Sequence, residues 1–308
     1  MLRIFYKNKQ MLELEERQRF ERGVLIELID PTSEEIEYLH KKLKINSSLI
    51  HDALDPYEVP RLEAEHDNKY VFLRFPVKDE GVVSTVPFLV VAGDHFVMFV
   101  SSKRLPLIDE LNETLEDITT TQKTKMVLQI LERMHSNYKS LLYGINKDIN
   151  SLSLRAAGVK IENRDIMKFI DFEESLNDFL NALVPYKNIL NKLLDGKALT
   201  LYNEDKDLIE DLLLSSDELV LLSQTSLKSS INIRDAYSTV LTNNLNRVIK
   251  FLTSLTIILT VAVIIPSIYG MNLDLPLQSH PHAFLIIMAI TAAISIFLVW
   301  LFSKKKWL

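Results

Sequence analysis

Cysteine is absent from the 308 residues, which excludes disulfides, thiolate metal sites, iron–sulfur clusters and cysteine nucleophiles. No basic stripe is available to neutralise phosphates: 35 lysines and arginines stand against 41 acids, and a nucleic-acid partner is not expected. Neither a GxxxxGK phosphate loop nor a GxGxxG fingerprint occurs, so no nucleotide partner and no organic cofactor are expected. The seven histidines are scattered, and no nucleophile–base grouping is readable from spacing, so the chain does not read as an enzyme. Met1 to Gln10 carries charges where a signal peptide needs an apolar core, and export is not expected.

Charge is nearly absent from the last part of the chain. From Phe251 to Leu308 the only charges are Asp274, Lys304, Lys305 and Lys306, a net of +2. The whole chain carries −6, so residues 1 to 250 carry −8. An acidic body, suited to cations, is joined to an uncharged tail. Phe251 to Ile268 and Ala283 to Phe302 are uncharged runs, each near the roughly 20 residues a helix needs to cross a bilayer. Arg247 and Lys250 precede the first run and Lys304 to Lys306 follow the second, while the link Asn272 to His282 has neither lysine nor arginine. Positive charge stays inside, which predicts a multi-pass protein of the cell membrane with both termini cytoplasmic. Trp300 and Trp307 fall at the inner headgroup level.

Residues 1–120 read as a small cytoplasmic α/β domain. Glu34 to Leu43 is helical, opened by Asp30-Pro31-Thr32 with Glu35 at capping-box spacing. Lys69 to Val77, Ser84 to Val91 and His95 to Val100 are rich in β-branched and aromatic residues, and the last two read as a hairpin across Gly93-Asp94. Residues 121–250 read as long helices and a stalk: Lys123 to Ala156, then Asn163 to Leu194 interrupted by Pro185, then a helix from near Glu204 with no breaker before Pro266. That last helix is too long for one small domain and is expected to run on into the membrane as the first span. Residues 251–308 form a transmembrane hairpin with spans at about 251–270 and 283–302. The fold class is thus an α+β membrane protein.

The polar and small residues of the first span recur at steps of three and four. Asn246, Thr253, Thr256, Thr260, Ser267 and Gly270 share one face, with Leu252 and Val263 completing it. A single threonine in a membrane helix commonly bonds its own i−4 carbonyl. A whole stripe continuing a stalk face is read as the lining of a pore. Two spans per chain cannot enclose water, so this reading requires several copies around one axis.

The stripe ends at Tyr269-Gly270-Met271-Asn272. Here the sequence resembles the CorA family of magnesium channels, whose hallmark is Gly-Met-Asn at the end of the first of two C-terminal spans. The Lys304-Lys305-Lys306-Trp307-Leu308 ending is similar to the family's as well. The resemblance implies a homopentamer in the lipid bilayer passing Mg²⁺, with Co²⁺ and Ni²⁺ also permeant, and a selectivity filter at Gly270, Met271 and Asn272. Mg²⁺ dehydrates reluctantly, and a ring of neutral carboxamides can hold it through its waters. Asn246 resembles the family's inner polar ring, and Ile249 and Leu252 match its hydrophobic constriction, a gate type that closes by dewetting. Thr260-Val261 stands where relatives can carry Met-Pro, which implies a different kink and middle constriction.

The resemblance also implies regulation by cytoplasmic Mg²⁺ at acids between subunits. Leu49-Ile50-His51-Asp52-Ala53-Leu54 and the following Pro60-Arg61-Leu62-Glu63 resemble the family's acidic site and assign Asp52; His51 replaces an acid common there, implying weaker binding. Counting back from the Gly-Met-Asn motif assigns Asp235, and Asp211 is a third candidate. Two other readings stay open. One is a zinc or broad divalent transporter of the same superfamily, proton-coupled in mechanism, for which His280 and His282 could offer nitrogen ligands. The other is a membrane-anchored scaffold or sensor that does not conduct.

Overall fold

The computed structural model describes the chain apart from residues 9, 12, 80, 108–118, 157–162, 273, 274 and 277–279, and apart from the side chains of 154–156 and 163. Asp274, the link's acid, therefore lies outside the described residues. Two compact units emerge, Met1–Arg234 and Asp235–Leu308.

Among the described residues the first unit has seven strands: β1 (Leu2–Tyr6), β2 (Glu15–Arg17), β3 (Val24–Ile29), β4 (Arg61–Glu65), β5 (Asn68–Asp79), β6 (Val82–Ala92) and β7 (Phe96–Ser101). They lie in the order β2-β1-β3-β7-β6-β5-β4. Every pairing is antiparallel except β3 with β7, where Ile26 sits opposite Met98. Both faces of the sheet are covered. Val24, Ile26 and Leu28 of β3 and Phe96, Met98 and Val100 of β7 point to one core, together with Ile36, Leu39, Leu49 and Ile50 of helices α1 (Ser33–Leu43) and α2 (Ser47–Asp52). The alternate residues Leu25, Phe75, Phe88, Val90, Val97 and Phe99 are equally buried on the other side. A strand covered on both faces becomes a continuous apolar run, as in Val24-Leu25-Ile26.

Helices α3 (Lys123–Ala156) and α4 (Asn163–Leu194) pack on the sheet. Ser175 of α4 donates to the Val83 carbonyl of β6 at 2.6 Å, and Tyr138 of α3 donates to the Arg74 carbonyl of β5 at 2.7 Å. Tyr138 and Phe179 meet edge to face at 4.9 Å, tying α3 to α4. The expected capping box of α1 is present: Thr32 Oγ1 accepts from Glu35 N–H at 3.3 Å, and the Glu35 carboxylate accepts from Thr32 N–H at 3.0 Å.

Helix α5 (Asn203–Tyr269) is 67 residues long, and α6 (Ala283–Lys304) closes the chain. Both contain stretches long and apolar enough to cross a membrane. The expected interruption at Pro185 is not observed: α4 runs through it, and α5 likewise runs through Pro266 to Tyr269. A proline removes one hydrogen bond from a helix. At Pro185 that bond would have gone to the carbonyl of Asn181, an exposed position, so the helix can continue.

Candidate functional site

Within the first span the covered residues of α5 fall on one face: Ser254, fully buried, with Ile258, Val261, Ile265 and Tyr269 partly covered. Helix α6 covers Thr291 and Phe302 in the same way. At 3.6 residues per turn, Asn246, Ile249, Leu252, Thr253, Thr256, Thr260, Val263, Ser267 and Gly270 occupy about a third of the circumference of α5. That third lies opposite the covered face, and every one of its residues is exposed. Ile249 is 50% exposed, Leu252 53% and Val263 63%.

Thr256 donates its hydroxyl proton to the Leu252 carbonyl and Thr260 donates to the Thr256 carbonyl, each at 2.8 Å. The local bonding anticipated for isolated threonines is therefore present within the stripe. Its consequence is chemical. With their protons committed to the helix, the two oxygens turn lone pairs outward. A hydrated cation presents O–H donors, so a face of acceptors suits it.

Helix α5 closes with Gly270 N–H on the Pro266 and Ser267 carbonyls at 3.0 and 3.2 Å, and Met271 N–H on Ile268 at 3.2 Å. A Cβ at Gly270 would meet only those same two carbonyl oxygens, at 3.5 Å or more. Nothing in one chain thus requires glycine there. Met271 and Asn272 are exposed, and the Asn272 carboxamide takes no partner among the described residues. In the link, His282 N–H donates to His280 Nδ1 at 3.2 Å and the two rings lie 6.0 Å apart. That bond occupies one of the four ring nitrogens in a local turn.

Asp52 ends helix α2, and its carboxylate lies 2.9 Å from Arg61 Nη2. Arg61 also binds Glu63 through Nε at 2.5 Å and Glu58 through Nη1. The structure thus brings Asp52 together with two residues of the segment that marked it, Arg61 and Glu63. It adds Glu58, which the sequence reading missed: Glu58 lies in the irregular segment before β4, where no periodic spacing announces a pairing with Arg61. Asp211 and Asp235 are exposed residues of α5. Among the described residues, no group of three or more histidines and acids is placed to hold a metal within one chain.

A profile of the CorA-like Mg²⁺ transporter protein family matches residues 21–306. The chain belongs to that family. The cobalt/magnesium transport protein CorA of Methanocaldococcus jannaschii is 26% identical over 300 residues, covering 93% of this chain and 92% of the relative. The protein of the same name from Thermotoga maritima is 19% identical over 271 residues, covering 86% and 77%. The complete structure of the CorA magnesium transporter from Methanocaldococcus jannaschii matches with a TM-score of 0.82 at 22% identity, over 100% of this chain and 99% of that one. The soluble α/β domain, the long helix and the two apolar C-terminal helices are those of the CorA fold.

Proposed function

We propose that this CorA-family chain is one subunit of a homopentameric channel of the cell membrane, with both termini cytoplasmic, that admits Mg²⁺ and also Co²⁺ and Ni²⁺. The observation that carries the reading is the stripe of polar and small residues on α5, broken only by Ile249, Leu252 and Val263 and exposed on the face opposite the covered face of the first span. In a lone hairpin that stripe would meet hydrocarbon, which offers polar oxygens no partner. In a ring of copies it lines water. Gly270, Met271 and Asn272 form the outer filter, and the Asn272 carboxamide holds the ion through its waters. Ile249 and Leu252 form the constriction above Asn246, and Thr253, Thr256, Thr260, Val263 and Ser267 line the path.

Entry needs no nucleotide. A divalent ion gains about 4.6 kcal/mol per 100 mV on moving to a negative interior, twice the single-charge value. Regulation lies in the body. Mg²⁺ bridging copies near Asp52 and Asp235, with Asp211 as a third contributor, holds the closed state; when Mg²⁺ falls, the acids repel and the constriction wets. Substituting both Asp52→Lys and Asp235→Lys is expected to abolish inhibition by Mg²⁺, and unchanged inhibition would refute this arm.

The deciding test is divalent uptake into proteoliposomes at a negative-inside potential, with Mg²⁺, Co²⁺ and Zn²⁺ run separately and internal pH recorded. Mg²⁺ entry that needs the potential, moves no protons and is lost in Asn272→Ala is the expected result. Zn²⁺ entry coupled to acidification would assign the chain to zinc transport. No flux from folded, assembled protein would make it a non-conducting scaffold.

A further inference from the structure

We infer that Arg61 is a tethered counter-ion of the regulatory acid Asp52 and competes with the divalent cation for it. The inference rests on the assignment of Asp52 proposed above and adds what sets the sensitivity of that site.

Each of the three guanidinium nitrogens is engaged. Nη2 faces Asp52, Nη1 faces Glu58 and Nε faces Glu63, so each nitrogen serves a different carboxylate. Its plane rests on the Phe72 ring, with Cζ 3.8 Å from the centroid. A lysine could supply the charge but not this fork. One guanidinium against three carboxylates leaves two negative charges unmatched, the charge of one divalent cation.

The three carboxylates are not equivalent. Glu63 shares strand β4 with Arg61 and sits two residues away. Glu58 lies in the segment just before β4, is the least exposed of the three, and is held further by Val59 N–H, which donates to its Oε1 at 3.1 Å. Asp52 belongs to a different element, α2, and its side chain is 41% exposed. Its single ion-pair contact uses Oδ2, while Oδ1 has no partner among the described residues. Asp52 is therefore the member free to leave, and Arg61 remains anchored by the other two when it does. Without the cation, Arg61 holds Asp52; a divalent ion must displace it. The threshold concentration is then set by the strength of that pair.

The test uses the full-length protein and two readouts: the Mg²⁺ concentration giving half-maximal protection from limited proteolysis, and that giving half-maximal inhibition of flux in proteoliposomes. Removing the positive charge with Arg61→Gln is expected to lower both concentrations about fivefold, the scale of one partly exposed ion pair. Arg61→Lys keeps the charge and shifts them less. Glu63→Gln, a change at a half-buried site, frees the guanidinium for Asp52 and raises both concentrations, which keeps the idea testable if Arg61→Gln fails to fold. A gain in apparent affinity on losing Arg61 is not what mere structural damage produces. If Asp52→Asn weakens the Mg²⁺ response while the Arg61 and Glu63 variants leave it unmoved, the counter-ion role is wrong and the Asp52 assignment stands. If Asp52→Asn also changes nothing, the assignment itself fails. If Arg61→Gln tightens the response equally with Asp52 or Asn at position 52, Asp52 is not what Arg61 guards.

Discussion

The two units differ in how far their polar groups reach for partners. In Met1–Arg234 some hydroxyls bond their own helix, as Ser223 and Thr225 do at 2.8 Å, but others reach across to other elements: Ser175 to β6, Tyr138 to β5, and Tyr70 Oη accepting from the Asn46 N–H at 2.8 Å. In Asp235–Leu308 the hydroxyls of Ser254, Thr256, Thr260 and Thr291 all donate to carbonyls of their own helix at 2.8 Å. The first pattern belongs to a chain whose apolar side chains close into a core. The second belongs to helices whose apolar side chains face outward, where no water can serve an unmade bond. Burial follows suit: both faces of the sheet are closed, whereas each span covers one narrow face and leaves the rest open.

The sharpest break of this contrast is to make the spans uniformly apolar. Thr256→Leu with Thr260→Leu removes two outward acceptors and no bond to another element. Mg²⁺ flux in proteoliposomes is expected to fall to background while assembly and thermal unfolding stay as in the parent. Retained flux would remove the stripe from the ion path. The reverse probe shortens a core side chain. Ile26 is fully buried between β1 and β7, so Ile26→Ala should cost about 3 kcal/mol in denaturant unfolding. Ile264, half exposed in the first span, should lose under about 0.5 kcal/mol on the same change. Equal costs would mean that the span has a packed interior after all.

A third probe tests the body by pH. His135 of α3 is buried beside Ser215 and Ser216 of α5, with Nε2 2.7 Å from the Ser215 hydroxyl. Burial, with a smaller contribution from the Lys139 charge, lowers its pKa to about 4. The folded value lies below the unfolded value, so the unfolded chain takes up the proton first. Stability is full above about pH 6.5 and falls as pH drops toward 4. Between pH 7.5 and 5 the loss is about 2 kcal/mol, and His135→Leu should remove that part of the slope. An unaltered slope would mean that His135 titrates freely.

Legibility in the sequence followed the same division. The spans were readable because a bilayer imposes a fixed length and excludes charge, and the stripe was readable because its period is that of one helix. In the body, α1 announced itself through Thr32 and Glu35. Strand β3 did not, because Val24 to Ile29 is buried on both faces and shows no alternation. Strand β2, Glu15-Glu16-Arg17, is exposed throughout and held by pairing with β1 alone, which composition does not reveal. Pro185 misled because its cost depends on where the freed carbonyl points, a tertiary fact. Asp52 was singled out by its segment, but its engagement with Arg61 depends on α2 and β4 being brought side by side.

Gly270 offers the smallest change to the chain and the finest test of where function resides. Its φ lies outside the left-handed region that favours glycine, and a methyl group there would meet carbonyl oxygens at ordinary contact distance. Gly270→Ala should therefore leave thermal unfolding within about 0.5 kcal/mol of the parent. If the outer mouth is built from several copies meeting closely, the same methyl group is repeated around the axis, and flux should drop although each chain folds as before. Unchanged flux with unchanged stability would show that the mouth is wider than a close approach of backbones. Reduced stability would show that the glycine serves the helix end, and the contrast between a self-contained chain and a shared mouth would have to be drawn elsewhere.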